Sequence, residues 1–311
     1  MESKVSVIVP THYRNDLLPE AIESVAAQDY DPVELIVVDD SGEGYAEPVL
    51  SEYSDVVDIP IVKEQNEGWQ AAYTTGIEAA SGEYIQFLDD DDYLYETKLR
   101  KTAAVLDENP EVGVSYCGVV RGDEGEFYPK PEVAGDFLEP ALRFQTFPLW
   151  TGSMLMERDV LRDCLPMAGM AEDDDLDIEL GDTDVKIELA SRTKTAYVDE
   201  CLVYYRQDDN KLWTGKRRFE KILQNIRHQS DRYDQHPDIR RDLLAHWYER
   251  QGQNWLDERV WSARAIDCFL RSAYYERDRK FPKVVETLAA LLGRPGVNSA
   301  ARARRMLVDG A

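Results

Sequence analysis

A chain of 311 residues with 43% apolar and 10% aromatic residues has enough material for a sizeable core, so a disordered protein is excluded and one large domain plus a smaller one is expected. Its 61 acids against 36 lysines and arginines give a net charge of −25, which argues against DNA or RNA as a partner, because binding them rests on cations that neutralise phosphates. An acid excess of this size is the pattern of proteins adapted to multimolar salt, as in halophilic archaea, where counter-ions screen the self-repulsion.

Lys4 to Pro10 reads as a first strand, β-branched and closed by a proline that cannot donate to a ladder. The loop Thr11 to Asn15 follows. Apolar residues then fall at helical spacing from Leu17 to Gln28, with Asp16 as the expected cap. The second strand, Val33 to Val38, ends in Asp39-Asp40-Ser41-Gly42. A strand–helix–strand crossover is right-handed almost without exception, so both strand exits open on one edge of a parallel sheet. Glu47 to Tyr53 is a short helix and Ile59 to Glu64 a third strand. Asn66-Glu67-Gly68 forms a turn, with residues suited to positive φ, before a helix from Gln70 to Ala80.

The strand Tyr84 to Leu88 ends abruptly in Asp89-Asp90-Asp91-Asp92. Four carboxylates leaving together at a strand's C-terminal edge repel one another, and that edge is where ligands of open α/β sheets bind. A divalent cation bridging to a diphosphate would neutralise them, and hard oxygen ligands suit Mg²⁺ or Mn²⁺. Four acids in a row are also an ordinary solvated loop in so acidic a chain. The run Glu172 to Asp175, with no strand before it, reads as surface.

Tyr95 to Glu108 is the next helix, completing a β-α-β-α-β-α-β-α order. No Gly-x-Gly-x-x-Gly or Gly-x-x-x-x-Gly-Lys-Ser/Thr stands at any turn, which disfavours a dinucleotide dehydrogenase, a P-loop enzyme and a nucleotidyltransferase. Val112 to Val120 is a strand, followed by a hairpin over Arg121 to Gly125. Gly135 to Thr151 is irregular, Ser153 to Met156 a strand, Arg158 to Cys164 a helix and Pro166 to Gly181 a long acidic loop. Asp182 to Ser191 is helical, and Thr195 to Val198 and Leu202 to Tyr205 are two closing strands. The first domain is thus 1–210. The second, 211–311, is all-helical: Arg217 to Tyr233, Ile239 to Leu256, Val260 to Arg277, Pro282 to Leu292 and Ser299 to Leu307. Leu243 to Ala273 resembles a tetratricopeptide-like hairpin.

No window approaches the roughly 18 uninterrupted apolar residues of a membrane span, and the start of the chain lacks a signal peptide's basic and apolar regions. A cytoplasmic location is expected, with peripheral attachment at the inner face of the cell membrane through Arg302, Arg304 and Arg305 left open. Cys117, Cys164, Cys201 and Cys268 are widely spaced and read as free thiols.

Val5 to Thr11, Val37-Val38-Asp39-Asp40-Ser41, Asn66-x-Gly68 and Gly82 to Asp92 together resemble glycosyltransferase family 2 over residues 4 to 206. The resemblance implies a GT-A fold, a Rossmann-like α/β sheet, and an inverting transfer of sugar from a nucleoside-diphosphate sugar (UDP- or GDP-linked). It implies that Pro10, Thr11, Tyr13 and Arg14 line the base and ribose pocket. Asp39 and Asp40 would contact the base, Asn66, Gly68 and Asp90 would face the nucleotide, and Asp89, Asp91 and Asp92 would match the family's Asp-x-Asp-Asp element, in which one carboxylate holds ribose and another the metal. Asp91, with Asp92 beside it, would hold Mn²⁺ or Mg²⁺.

By the same resemblance Asp182 takes the position of the catalytic base, with Gly181 replacing a glutamate and Asp173 as the competing candidate. Asp182 is also a plausible helix cap. Ala72-Tyr73-Thr74 stands where the family often has Ala-Arg-Asn, so an arginine that reaches the nucleotide is missing. Arg206, Lys211 or Trp213 are candidates to touch the diphosphate, and Trp150, Thr151 and Gly152 to meet the acceptor. The implied acceptor is a hydroxyl of a glycan or polyprenyl-linked oligosaccharide, as in surface glycan synthesis or protein N-glycosylation. The alternative is a degenerate, non-catalytic nucleotide-sugar binding protein.

Overall fold

The computed structural model describes residues 2–165, 182–206, 215–258, 260–276 and 287–299. They fall into two compact units, one ending at residue 206 and one starting at residue 215. The first unit begins β1 (Val5–Thr11), α1 (Leu18–Ala26), β2 (Val33–Asp39), α2 (Glu47–Glu52), β3 (Ile59–Val62), α3 (Trp69–Ala79) and β4 (Tyr84–Phe87). It continues with β5 (Tyr93–Leu94), α4 (Lys98–Glu108), β6 (Val112–Arg121), β7 (Gly125–Phe127), α5 (Leu138–Leu142), β8 (Met154–Glu157), α6 (Arg158–Arg162), α7 (Asp182–Ala190) and β9 (Lys194–Tyr205).

The strands form one sheet in the order β3-β2-β1-β4-β8-β6-β9-β5, with β7 on β6. β1 runs parallel to both β2 and β4, pairing Thr11 with Asp39 and Ile8 with Phe87. All seven residues of β1 are buried because helices cover both faces of the sheet. Val5, Val7 and Val9 join the core cluster that holds Leu18, Ile22 and Val25 of α1. Ile8 points the other way, into α3: a Cβ on Gly76 would come within 2.3 Å of its Cγ2, so the helix packs this close only through a glycine.

At the opposite edge from the strand exits, buried Glu34 ties three strand starts together. It accepts from Lys4 Nζ at 2.6 Å, Ser6 Oγ at 2.6 Å, Ser81 N at 2.9 Å and Ser81 Oγ at 2.6 Å. Burial works to raise its pKa, but these donors prevail and hold it at about 2.

The structure departs from the sequence expectations at several points. After β4 the sheet turns mixed, since β8 is antiparallel to β4 and β6. The helix expected from Tyr95 begins at Lys98, because Tyr93 and Leu94 pair antiparallel with β9 as a two-residue strand. Leu17, not Asp16, precedes α1, and no side chain caps it. The two closing strands are one: polar Asp199-Glu200-Cys201 looks like a turn, but it is carried within β9 by register shifts against β6 at Cys117 to Val119. The irregular stretch from Gly135 contains the short helix α5.

The second unit holds α8 (Gly215–His228), α9 (Ser230–Gln235), α10 (Pro237–Glu258) and α11 (Ala263–Tyr275), with further helical turns at 287–290 and 293–299. The single helix expected over Arg217 to Tyr233 breaks at Gln229. Leu256, Ala265, Phe269, Ala290 and Val297 form its core. No described helix is long and apolar enough to cross a membrane. All four cysteines are free thiols. The loop Pro166 to Gly181, with Asp173, lies outside the described residues, as do Lys211, Trp213, Arg302, Arg304 and Arg305.

Candidate active site

Because β1 lies between parallel β2 and β4, Pro10-Thr11, Asp39-Asp40 and Asp89 to Asp92 all leave the sheet at one edge. The outer two exits are separated by two strand spacings, about 10 Å. Arg14 joins the β1 exit to the acidic run: its Nη1 donates to Asp90 Oδ1 at 3.0 Å and to Asp91 Oδ2 at 2.7 Å. Arg14, expected on the base side, therefore neutralises carboxylates instead.

The run itself is crowded and largely buried. Asp89 receives the Tyr73 hydroxyl at 2.8 Å, and burial, reinforced by the charges of Asp91 and Asp90, raises its pKa to about 7. Asp92 is 1% exposed; its Oδ1 accepts from Arg206 N at 2.7 Å and its Oδ2 is buried without a partner. Burial first, and then Asp89 and Asp91, push its pKa well above the usual carboxylate range. Asp90 is raised as well, by burial. Arg14 pairs with Asp90 and Asp91 but not with the orphaned Asp92 oxygen, and a cation fits there. Among the described residues no group of three or more His, Cys, Asp or Glu is arranged to hold a metal by itself. A cation here would take one or two carboxylates and complete its shell with phosphate oxygens and water, as Mg²⁺ commonly does.

The β2 exit is braced by its own loops. Asp39 accepts from Ser41 N at 2.9 Å and Ala46 N at 2.8 Å. Asp40 accepts from Glu67 N at 3.1 Å, Gly68 N at 2.8 Å and Lys63 Nζ at 2.9 Å. Both carboxylates thus shape the turns around the edge, and Asp40 Oδ2, which accepts from Gly68 N, retains a lone pair. Asn66 accepts from Gly68 N at 2.9 Å, and its Nδ2 contacts His12 Nε2 at 3.0 Å. Gly68 has φ +86°, which supplies the positive φ expected of this turn and starts α3.

Tyr13 stands at the mouth with φ +58°, 46% exposed, its ring 4.8 Å from that of Tyr45. The buried Thr11 hydroxyl faces the Asp90 carboxylate. Pro10 is buried at the end of β1. Trp150 is half-buried and meets Tyr205 edge-on at 4.5 Å, so most of its face packs inward. Gln86 donates to Gly152 O at 2.8 Å, which fixes the Thr151–Ser153 turn against β4. Asp182 is the first residue of α7, and its side chain lies outside what is described.

Tyr73 and Lys63 carry weight that the motifs did not give them, and Arg206, a candidate for the diphosphate, braces the acidic run. Tyr73, counted as the gap left by an arginine, donates to Asp89. Arg206 wraps the acidic turn, donating from Nε to Asp91 O at 2.9 Å and reaching Glu20. Lys63 is buried between Asp40 and Glu67, at 2.9 and 2.7 Å. Its position directly after β3, beside an acidic strand exit, was the available signal.

The profile of Glycosyl transferase family 2 matches residues 6–165, about half of the chain. The chain belongs to that family. An uncharacterized glycosyltransferase of Rickettsia typhi is 31% identical over 150 residues, 47% of this chain and 46% of that protein. Glycosyltransferase GlyA of Streptococcus pneumoniae is 28% identical over 133 residues, 41% of this chain and 19% of that one. The chain thus spans less than half the length of these curated relatives. Among solved structures, S. aureus TarS 1-349 in complex with UDP-GlcNAc superposes with a TM-score of 0.61 at 18% identity, covering 99% of this chain and 92% of that one. The mannosyltransferase PcManGT from Pyrobaculum calidifontis, in complex with GDP-Man and Mn2+, gives 0.57 at 17% identity, covering 97% and 84%. These likenesses establish the GT-A fold.

Proposed function

We propose that the protein is an inverting, metal-dependent glycosyltransferase that moves a sugar from a UDP- or GDP-sugar to a hydroxyl of a glycan or polyprenyl-linked acceptor. The observation that carries this reading is the unpartnered Asp92 oxygen within a run of four carboxylates, at the sheet edge shared with Asp40 and Thr11. Asp91 and Asp92 would hold Mn²⁺ or Mg²⁺, which when bound stabilises negative charge on the leaving diphosphate. Asp40's remaining lone pair can accept an N–H from the base, and Tyr13 offers a ring face for stacking. Asp182 takes the proton of the acceptor hydroxyl, which attacks the anomeric carbon from the face opposite the nucleoside diphosphate; the C–O bond to the diphosphate breaks and configuration inverts.

Release of nucleoside diphosphate from a panel of UDP- and GDP-sugars with Mn²⁺ or Mg²⁺ tests this. Wild-type release that disappears in Asp182→Asn supports the reading, and full activity in that variant removes Asp182 as the base. The second reading, a binding protein without turnover, is favoured by Tyr73 in place of an arginine. It predicts tight nucleotide-sugar binding and no release with any acceptor.

A further inference from the structure

The acid excess of this chain is confined to one part of it. Residues 1–210 hold 48 acids and 15 lysines and arginines, net −33, whereas residues 211–311 hold 13 and 21, net +8. The basic part also displays a cluster of large apolar side chains: Val260 is 64% exposed, Trp261 55%, Leu288 58%, Leu291 54% and Leu292 74%. They are neighbours. Trp261 Nε1 donates to Leu291 O at 3.2 Å, Arg294 N donates to Val260 O at 2.8 Å, and Leu288 lies one helical turn before Leu291 and Leu292.

This protrusion is built. Gly293 has φ +68°, and a Cβ on it would sit 2.2 Å from Val260 O, so only glycine closes the 291–294 turn against the loop. Arg294 Nε locks that turn to the end of α10 through Leu256 O at 2.6 Å. In the first turn of α11, Arg264 lies over the Trp255 ring at 4.9 Å and makes no ion pair among the described residues. Both line an open cleft of about 610 Å³ with Tyr248, Gln251, Asp267 and Arg271. A guanidinium stacked in this way keeps its N–H edge for phosphate oxygens.

We propose that the helical unit docks on an anionic phospholipid surface, with Val260, Trp261, Leu291 and Leu292 entering the boundary between headgroups and acyl chains and Arg264 meeting a lipid phosphate. A partner that is anionic at its surface and hydrocarbon beneath satisfies both halves of the patch, and tryptophan is at home at that boundary. A second copy docking through the same patch would set +8 against +8. The negative surface attracts the +8 part of the chain and repels the −33 part. The inference stands on the helical unit and is independent of the transferase reading.

The test is flotation of the full chain with vesicles of phosphatidylcholine alone and of phosphatidylcholine with phosphatidylglycerol. The chain is expected to float only with the anionic vesicles, and brominated acyl chains are expected to quench tryptophan fluorescence in the wild type but less in Trp261→Phe. The exposed pair Val260→Ser/Leu292→Ser, checked for unchanged circular dichroism, is expected to weaken binding about tenfold or more, as two aliphatic side chains leave the hydrocarbon. Absence of flotation overturns the proposal, as does binding that neither the serine pair nor bromination affects. It is also overturned if the serine pair only converts a dimer to a monomer, with no vesicle binding in the wild type, since the patch is then an interface between copies.

Discussion

The Tyr73 hydroxyl donates to Asp89 Oδ1 at 2.8 Å and so ties α3 to the acidic run after β4. The phenol is 1% exposed and its ring lies 4.2 Å from that of Phe87, so the donor is fixed by the core beneath the acidic run. Burial raises the Asp89 pKa to about 7, and the Tyr73 hydrogen bond works against that rise. Tyr73→Phe removes a bond that favours the charged carboxylate, so that pKa rises further. Nucleoside-diphosphate affinity measured across pH should then recover at a higher pH than in wild type, with about 1–3 kcal/mol lost from folding stability. An unchanged pH profile would show that Asp89 does not govern binding.

Asp40 and Lys63 form a second coupled pair. Their side chains are 5% and 7% exposed, and Asp40 also holds the Glu67 and Gly68 amides. Asp40→Asn leaves a buried ammonium short of charge and should cost on the order of 3 kcal/mol in denaturant unfolding. Glu67→Gln, at the exposed end of the same lysine, should cost far less, because solvent screens that pair. Equal losses would mean that Lys63 depends on both acids alike.

Lys98 is fully buried with no hydrogen-bond partner for its Nζ, and burial lowers its pKa from 10.5 to about 7. Below pH 7 both folded and unfolded chains carry the proton and the full cost is present. Between about 7 and 10.5 the unfolded chain binds one more proton, so stability rises with pH across that window. Lys98→Met should stabilise the protein by a few kcal/mol at neutral pH and flatten the rise. A variant that is less stable than wild type at pH 7 would contradict this.

Glu34 works in the opposite sense. Its pKa falls from 4.5 to about 2 on folding, so its contribution is complete above 4.5 and is lost as pH drops toward 2. Acid unfolding of Glu34→Gln should lack that component, which thermal melts at a series of pH values would reveal.

The parallel half of the sheet was legible because β-branched runs end in carboxylates at two strand exits and glycine marks the turn into α3. The mixed half was not. Tyr93-Leu94 is a strand only because β9 lies beside it, and the polar Asp199-Glu200-Cys201 stays in a strand only because β6 absorbs the extra residues. Both follow from long-range pairing that no local pattern encodes. In the site, residue types at strand ends identified the acids, but their partners came from distant segments. Arg14 reaches Asp90 and Asp91 across 76 and 77 residues, and Arg206 reaches Asp92 across 114. Tyr73 was misread because its chemistry was compared with that of the missing arginine, while its reach to Asp89 depended on the packing of α3.

The most direct measurement is Mn²⁺-dependent binding of UDP and GDP by calorimetry, in wild type and in Asp91→Asn and Asp92→Asn. Nucleotide affinity should fall about tenfold or more on chelating the metal, and equally in either variant without chelator, since each removes a carboxylate from the cation. Nucleotide binding that is indifferent both to chelation and to these two substitutions would contradict a metal–nucleotide site at the end of β4.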